Sequence, residues 1–281
     1  MNIHGHTTIS GLIGYPIAHS LSYALHNTAL KALHIDACYV PLIASDHSAL
    51  TSLVAAMRTP SFVGANVTTP HKETIIPLLD AIDETAQHIG AVNTIIKTSS
   101  GDLMGKNSDA EGFLVSLNEA NISYPLRDLF LIGAGGAARA VAMMMAPHVS
   151  SITISNRTPA KALQLIDDIK SRLGNRDIPL YFCPDPQRYT ANHRTIIVQC
   201  TSLGRNGELP PHPPLDESCT VIDLLYSHTP LLQKAKTIGA QIQNGSSMLL
   251  HQAALSFSWW FSVPPPIDIM RSSLFQKRNI V

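Results

Sequence analysis

The chain is poor in charge, in aromatic residues and in cysteine. Charged residues make up 14% of its 281 positions, against about 25% in an ordinary soluble domain. Lys+Arg and Asp+Glu number 20 each, so the formal net charge is zero. There is no basic excess of the kind that holds a nucleic-acid backbone. Nor is there the strong net charge, with few apolar residues, that keeps a chain disordered. The four cysteines, Cys38, Cys183, Cys200 and Cys219, lie far apart and form no CxxC pair. Free thiols in a reducing cytosol are the reading that follows. The 13 histidines include no HExxH and no cysteine–histidine spacing suited to zinc, so no metal site is expected.

Long apolar runs are missing as well. The most apolar stretch, 248–261, is interrupted by His251, Gln252, Ser256 and Ser258, and a membrane span needs about 20 mostly apolar residues. The first ten residues, MNIHGHTTIS, carry neither the basic nor the apolar region of a signal peptide. These absences describe a cytoplasmic protein with no membrane or nucleic-acid partner. Monomer and homodimer both stay open.

Hydrophobic residues, by contrast, make up 45%, enough to build a substantial core. At roughly 100–200 residues per domain the length suits one large domain or two ordinary ones. Short apolar runs at 9–14, 37–42, 62–67, 91–97 and 103–107 read as strands, the last two joined by the turn Ser99-Ser100-Gly101-Asp102, with helical patterns at 22–34 and 48–58 and a further helix beginning at Pro70. The pattern restarts with strands at 128–132, 151–155, 195–199 and 219–224 and a helix at 159–172. Two more helices, 248–261 and one from about 267, close the sequence around the prolines 264–266. Such alternation implies an α/β protein built of βαβ units with parallel sheets.

One strand–turn–helix carries a glycine signature: Asp128-Leu-Phe-Leu-Ile-Gly-Ala-Gly-Gly-Ala-Ala-Arg. Gly133 and Gly135 match the first two glycines of a dinucleotide-binding loop, with Ala138 at the third position. Gly133 permits the tight turn, and Gly135 lets a pyrophosphate approach backbone N–H groups at a helix N-terminus. The following strand ends Ser155-Asn156-Arg157-Thr158, without the acid that binds the ribose of NAD. Arg157 and Lys161 can pair with a 2′-phosphate, and Asn156 and Thr158 can add neutral hydrogen bonds, so NADP is favoured. The bland reading is that Thr158 caps a helix and Arg157 is a solvated charge.

Four polar clusters end predicted strands in the first half: 19–22, 66–72, 91–94 and 105–109. Ligands of open α/β sheets bind beyond the carboxyl ends of strands. Singly, Ser22 could be an N-cap, Asn66 a turn residue, Lys72 a surface charge and Asp109 a helix cap. Together they offer hydroxyls, amides, one ammonium and one carboxylate, which suits a small polyhydroxylated ligand.

These segments resemble those of the shikimate dehydrogenases, in order along almost the whole chain. They are Gly14-Tyr-Pro-Ile-Ala-His-Ser-Leu-Ser, Gly64-Ala-Asn-Val-Thr-Thr-Pro-His-Lys, Gly90-Ala-Val-Asn-Thr, Asn107-Ser-Asp, the glycine loop, Ser155-Asn-Arg-Thr, Thr201-Ser-Leu-Gly and Met248-Leu-Leu-His-Gln. The resemblance implies NADPH-dependent, reversible reduction of 3-dehydroshikimate to shikimate. It implies Lys72 and Asp109 as the catalytic pair. Ser20, Ser22, Asn66, Thr68, Asn93, Tyr226 and Gln252 would bind substrate. Gly133, Gly135, Gly136, Ala137, Asn156, Arg157, Thr158, Lys161, Thr201 and Met248 would face the cofactor. The implied fold has an N-terminal α/β substrate domain over 1–108 and 246–281, to which the C-terminal helices return, and a Rossmann-type NADP-binding domain over 109–245. The chain departs from the family pattern at Tyr23, Ser108, Ala110, Gln199-Cys200, Arg205, the segment after Tyr226, and Ser247. Quinate as substrate, or a non-catalytic NADP-binding regulator on the same scaffold, are the alternatives.

Overall fold

A computed structural model describes residues 3–172, 178–192 and 194–276. The chain divides into two compact units, Met1–Gly112 with Leu249–Val281, and Phe113–Met248. The expected substrate domain includes residues 1–2 and 277–281, which lie outside the described residues.

The first unit opens with β1 (Thr8–Gly14), α1 (Ser22–Ala32), β2 (Ala37–Ile43), α2 (His47–Ala56) and β3 (Gly64–Val67). On α1 the buried residues Ser22, Leu25, His26, Ala29 and Leu30 recur at helical spacing and form the stripe that faces the core. Asp46 caps α2, accepting from the Ala49 N–H at 2.9 Å. The helix expected from Pro70 does not form. Turns and a short 3₁₀ segment, Ile76–Leu78, replace it. Pro77 has no N–H for an α-helical bond and its ring would clash with the carbonyl four residues back, so the pattern breaks there. Next come β4 (Ala81–Ile82), α3 (Glu84–Ile89), β5 (Thr94–Lys97) and β6 (Leu103–Lys106).

The six strands lie in the order β2-β1-β3-β5-β6-β4. β1 runs parallel to β2 and β3, but β5 is antiparallel to β3 and to β6, so this sheet is mixed. The Thr98–Asp102 turn joins β5 to β6 directly, and so short a connection can only make an antiparallel pair. Ile13, Leu50, Val54, Met57, Val67, Ile75, Ile95 and Leu103 form the core on one face.

Helix α4 (Asp109–Glu119) leads into the second unit. That unit contains β7 (Asp128–Ile132), α5 (Gly136–Met145), β8 (Ser151–Ser155), α6 (Pro159–Arg172), β9 (Leu180–Phe182), β10 (Thr195–Gln199), β11 (Thr220–Asp223), α7 (Pro230–Thr237) and β12 (Gln241–Asn244). Its sheet is parallel throughout, in the order β12-β11-β10-β7-β8-β9. Counted from β7, this is the dinucleotide-binding order 3-2-1-4-5-6, and the order reverses between β7 and β10.

Helix α8 (Ser246–Phe261) carries the chain back to the first unit, and α9 (Ile267–Gln276) packs on α1. Trp260 of α8 donates its Nε1–H to the Ile95 carbonyl at 2.9 Å. Gly64 makes room for that ring: a Cβ there would lie 2.3 Å from Trp260 Nε1 and 2.3 Å from the Ile95 oxygen. Among the described residues no helix is long and apolar enough to cross a membrane.

Candidate active site

In the second unit the glycine loop leaves the carboxyl end of β7 at the reversal point. Gly133 has φ +113°, and a Cβ on it would meet Thr201 Cγ2 at 2.9 Å. The loop after β7 and the segment after β10 are therefore packed together. Gly135 is the N-cap of α5 and brings no side-chain cap to the N–H groups of the first turn, which Gly136 and Ala137 begin. A Cβ on Gly135 would find no atom within 4 Å, so the space above those N–H groups is open. An uncapped helix N-terminus with an open approach fits a pyrophosphate. After β8, Asn156 Nδ2 donates to the Thr158 carbonyl at 2.9 Å and shapes the turn. Arg157, Thr158 and Lys161 are exposed beside it. Two cations and a hydroxyl, with no acid among them, suit a 2′-phosphate.

Two other residues of the second unit support this end. Asp223, buried at the end of β11, accepts from the Leu225 N–H at 3.0 Å and the Thr229 hydroxyl at 2.6 Å. Burial pushes its carboxyl above the usual range, against the pull of these bonds. It shapes the turn that carries Tyr226, which is half-buried. Met248, buried, lies in the first turn of α8.

The first unit brings together residues from five segments. Lys72 Nζ donates to Asp109 Oδ2 at 2.5 Å, with both side chains largely buried. Asn93 Nδ2 donates to the other carboxylate oxygen at 2.8 Å and to Ser108 Oγ at 2.9 Å. Asn93 Oδ1 accepts from the Ser108 N–H at 2.8 Å, which fixes the orientation of the amide. Asn107 Oδ1 accepts from the Asp109 N–H at 3.0 Å and so shapes the start of α4. Ser20 and Ser22 are both buried, with hydroxyl oxygens 3.1 Å apart. Leu21, not Ser22, is the N-cap of α1, and no side chain caps this helix. The Thr68 hydroxyl has no hydrogen-bond partner among the described residues.

Asn66 is differently placed. Its Oδ1 accepts from the Tyr39 hydroxyl at 3.0 Å. Its amide nitrogen lies 2.9 Å from Ser256 Oγ and 3.1 Å from Thr94 Oγ1. Both amide protons and one lone pair are thus engaged within the protein, leaving one lone pair for anything else. Gln252 is buried, with Nε2 donating to the Leu249 carbonyl at 2.9 Å and Oε1 3.5 Å from Ser108 Oγ.

Tyr39, Thr94, Ser108 and Ser256 belong to this cluster, and sequence reasoning did not single them out as site residues. Ser256 had a signal: it stands one helical turn after Gln252 and so shares its face. Tyr39 had none, because its partner Asn66 is 27 residues away. Behind Asn66, His26 stacks on Tyr39 at 4.3 Å between centroids and lies 5.2 Å from the Trp260 ring. Its ring is 1% exposed, and neither nitrogen has an ordinary hydrogen-bond partner. Burial lowers its pKa to about 3, and the neighbouring Asn66 offsets only part of that.

Residues 12–95 match the model of the shikimate dehydrogenase substrate binding domain, and residues 245–275 that of the shikimate 5′-dehydrogenase C-terminal domain. The chain is 37% identical over 281 residues to shikimate dehydrogenase (NADP(+)) of Carboxydothermus hydrogenoformans, covering 98% of this chain and 99% of that one. It superposes with TM-score 0.88 and 34% identity on a shikimate dehydrogenase crystallised with NADP+, over 98% and 97% of the two chains. The Thermus thermophilus shikimate 5-dehydrogenase, crystallised with NADP(H) and shikimate, aligns with TM-score 0.81 and 32% identity over 96% and 99%. With a parallel sheet that presents its glycine loop at the order reversal, and a full-length likeness of this degree, the chain belongs to the shikimate dehydrogenase family.

Proposed function

We propose that this protein interconverts 3-dehydroshikimate and shikimate with NADPH and NADP+, using Lys72 and Asp109 as its catalytic pair. The observation that carries the reading is the buried Lys72–Asp109 pair, backed by Asn93 on the far carboxylate oxygen. The first unit serves as the substrate domain and the second as the cofactor domain.

When bound, NADPH supplies the hydride. The ring ketone that receives it becomes an alkoxide and needs one proton. Lys72 Nζ donates that proton, and the lysine is recharged from solvent. Asp109 aims the Lys72 amine, and Asn93 stops its carboxylate from turning. Thr68 and Gln252 bind ring hydroxyls, while Asn93, whose amide protons go to Asp109 and Ser108, acts by holding Asp109. Ser20 and Ser22, at the uncapped N-terminus of α1, receive the substrate carboxylate by neutral hydroxyls and the helix dipole. Asn66, with its amide engaged, serves as framework beneath these groups. Arg157, with Asn156, Thr158 and Lys161, holds the 2′-phosphate. Gly133, Gly135, Gly136 and Ala137 hold the pyrophosphate, and Thr201 and Met248 border the cofactor. The four cysteines are free.

The test is to follow reduced-nicotinamide absorbance with shikimate or quinate crossed against NADP+ or NAD+. Turnover with shikimate and NADP+ well above the other three combinations is expected. No turnover with either acid would overturn the reading.

A further inference from the structure

Three hydroxyls from distant parts of the chain meet beneath the proposed substrate residues. Thr94 is the first residue of β5, Ser108 precedes α4, and Ser256 lies in the middle of α8. All three are fully buried. Ser256 Oγ lies 2.8 Å from Thr94 Oγ1 and 3.3 Å from Ser108 Oγ, and Thr94 Oγ1 lies 3.4 Å from Ser108 Oγ.

Counting protons leaves the cluster two arrangements. Asn66 Nδ2 can only donate, so Ser256 Oγ accepts from it at 2.9 Å. The Gln252 main-chain oxygen, 3.0 Å away, can only accept. If Ser256 donates there, its second lone pair is filled by Thr94. If Thr94 instead donates to Asn93 Oδ1 at 2.9 Å, it accepts from Ser256. In either arrangement Ser256 links α8 to Thr94 and Asn66 at once. Thr94 and Ser108 in turn contact both ends of the Asn93 amide. Asn93 holds one oxygen of Asp109, and the other oxygen holds Lys72.

We propose that Ser256 is a positioning residue for the reaction. Through Thr94 and Ser108 its hydroxyl fixes the Asn93 amide and hence the Asp109 carboxylate that aims Lys72. It contacts neither substrate nor cofactor. The proposal rests on Lys72, Asp109 and Asn93 acting as described above. Alignment of reacting groups is sensitive to displacements of an ångström, so the hydroxyl acts on turnover more than on binding. A buried serine that served packing alone would act on stability and leave turnover intact.

The experiment measures kcat and KM for shikimate, KM for NADP+, and Tm, in the parent, Ser256→Ala, Thr94→Val, Thr94→Ser and the double variant Ser256→Ala/Thr94→Val. Shikimate turnover by the parent tests the proposed function first and separately. Given that turnover, Ser256→Ala is expected to lower kcat about tenfold or more, with a smaller rise in KM for shikimate and no change for NADP+. Thr94→Val keeps the side-chain volume but removes the hydroxyl, and is expected to lose kcat similarly. Thr94→Ser keeps the hydroxyl and is expected to retain most of it. The double variant should be little worse than the poorer single one, because both break the same chain of contacts. Parental kcat in Ser256→Ala with a lowered Tm would overturn the proposal. So would Thr94→Ser losing more than Thr94→Val, which would mean packing. If Ser256→Ala does not fold, the Thr94 pair decides. If neither Ser256→Ala nor Thr94→Val folds, the cluster belongs to the core and the proposal falls.

Discussion

Lys72 and Asp109 are 37 residues apart in sequence, yet the ammonium and the carboxylate meet at 2.5 Å. Lys72 stands just past β3 and Asp109 just past β6. The intervening β5 pairs with both strands and brings their ends to one edge of the site. General acid–base groups typically contribute about 10²–10⁴-fold, so Lys72→Ala should lose kcat on that scale. NADP+ affinity, read by fluorescence titration, should hardly move, because neither residue belongs to the glycine-loop unit. The double variant Lys72→Ala/Asp109→Ala should be little worse than the poorer single one, since groups acting as a unit are non-additive. Near-parental turnover in Lys72→Ala would return Lys72 to the role of an ordinary charge.

Arg157 separates the cofactors. It is exposed in the turn after β8, where an NAD-specific fold places an acid. Arg157→Ala should weaken NADP+ binding by about 1.5–3 kcal/mol, the scale of a hydrogen bond to a charged group. NAD+ binding should barely change. Equal loss for both cofactors, measured by calorimetry, would make Arg157 structural.

Ser20 and Ser22 should act on binding. Their hydroxyls form a pair at the uncapped end of α1, and the substrate carboxylate lies away from the reacting carbon. Ser20→Ala and Ser22→Ala should each raise KM for shikimate more than they lower kcat. An unchanged KM in both variants would remove the carboxylate from this site.

His26 makes stability depend on pH. Its folded pKa of about 3 lies below the unfolded value of 6.5. The unfolded chain therefore binds more protons between those values, and stability falls as pH drops through that window. Between pH 7 and pH 5 the loss is about 2 kcal/mol. Urea unfolding at the two pH values reads it. His26→Phe, which suits the cage of Tyr39, Phe257 and Trp260, should remove that part of the slope. An unchanged slope in His26→Phe would assign the pH dependence to other groups.

The second unit was legible where its strands alternate with helices, from β7 through α5 and β8 to α6, whereas the sequence pattern did not mark β9, α7 or β12, and no α-helix stands between β9, β10 and β11 among the described residues. The first unit was less so. The turn at Ser99–Asp102 between β5 and β6 was readable, but Pro77 cancels a helical pattern that otherwise continues from Pro70. The site split along the same line. Lys72, Asp109 and Asn93 announced themselves as polar residues at strand ends. The Ser256 hydroxyl did not, because its partners Asn66 and Thr94 are 190 and 162 residues away. No local pattern encodes hydrogen bonds of that range. Asn66 could be located from the sequence, but whether its amide faced a ligand or the protein depended on Tyr39 and Ser256.

Gly133 and Gly135, two residues apart in one loop, are glycine for different reasons, and substitution should separate them. Gly133 sits at φ +113°, where an L side chain is strained, and a Cβ would press on Thr201 Cγ2 at 2.9 Å. Gly133→Ala should therefore lower stability, by about 1–3 kcal/mol for the backbone strain alone, even without cofactor. Gly135 has φ −90° and ψ −175°, an ordinary extended conformation, with nothing within 4 Å of a Cβ. The folded protein does not need glycine there; a bound pyrophosphate does, because it must reach the backbone N–H groups of α5. Gly135→Ala should keep the parental Tm while losing NADP+ affinity by about tenfold, roughly 1.4 kcal/mol. Differential scanning calorimetry with and without NADP+ reads both effects in one experiment. The parent should gain Tm on adding NADP+, and Gly135→Ala should gain less at the same concentration. Equal ligand-induced shifts in the parent and Gly135→Ala would mean that the phosphates bind elsewhere and that the open space above α5 is not their cradle.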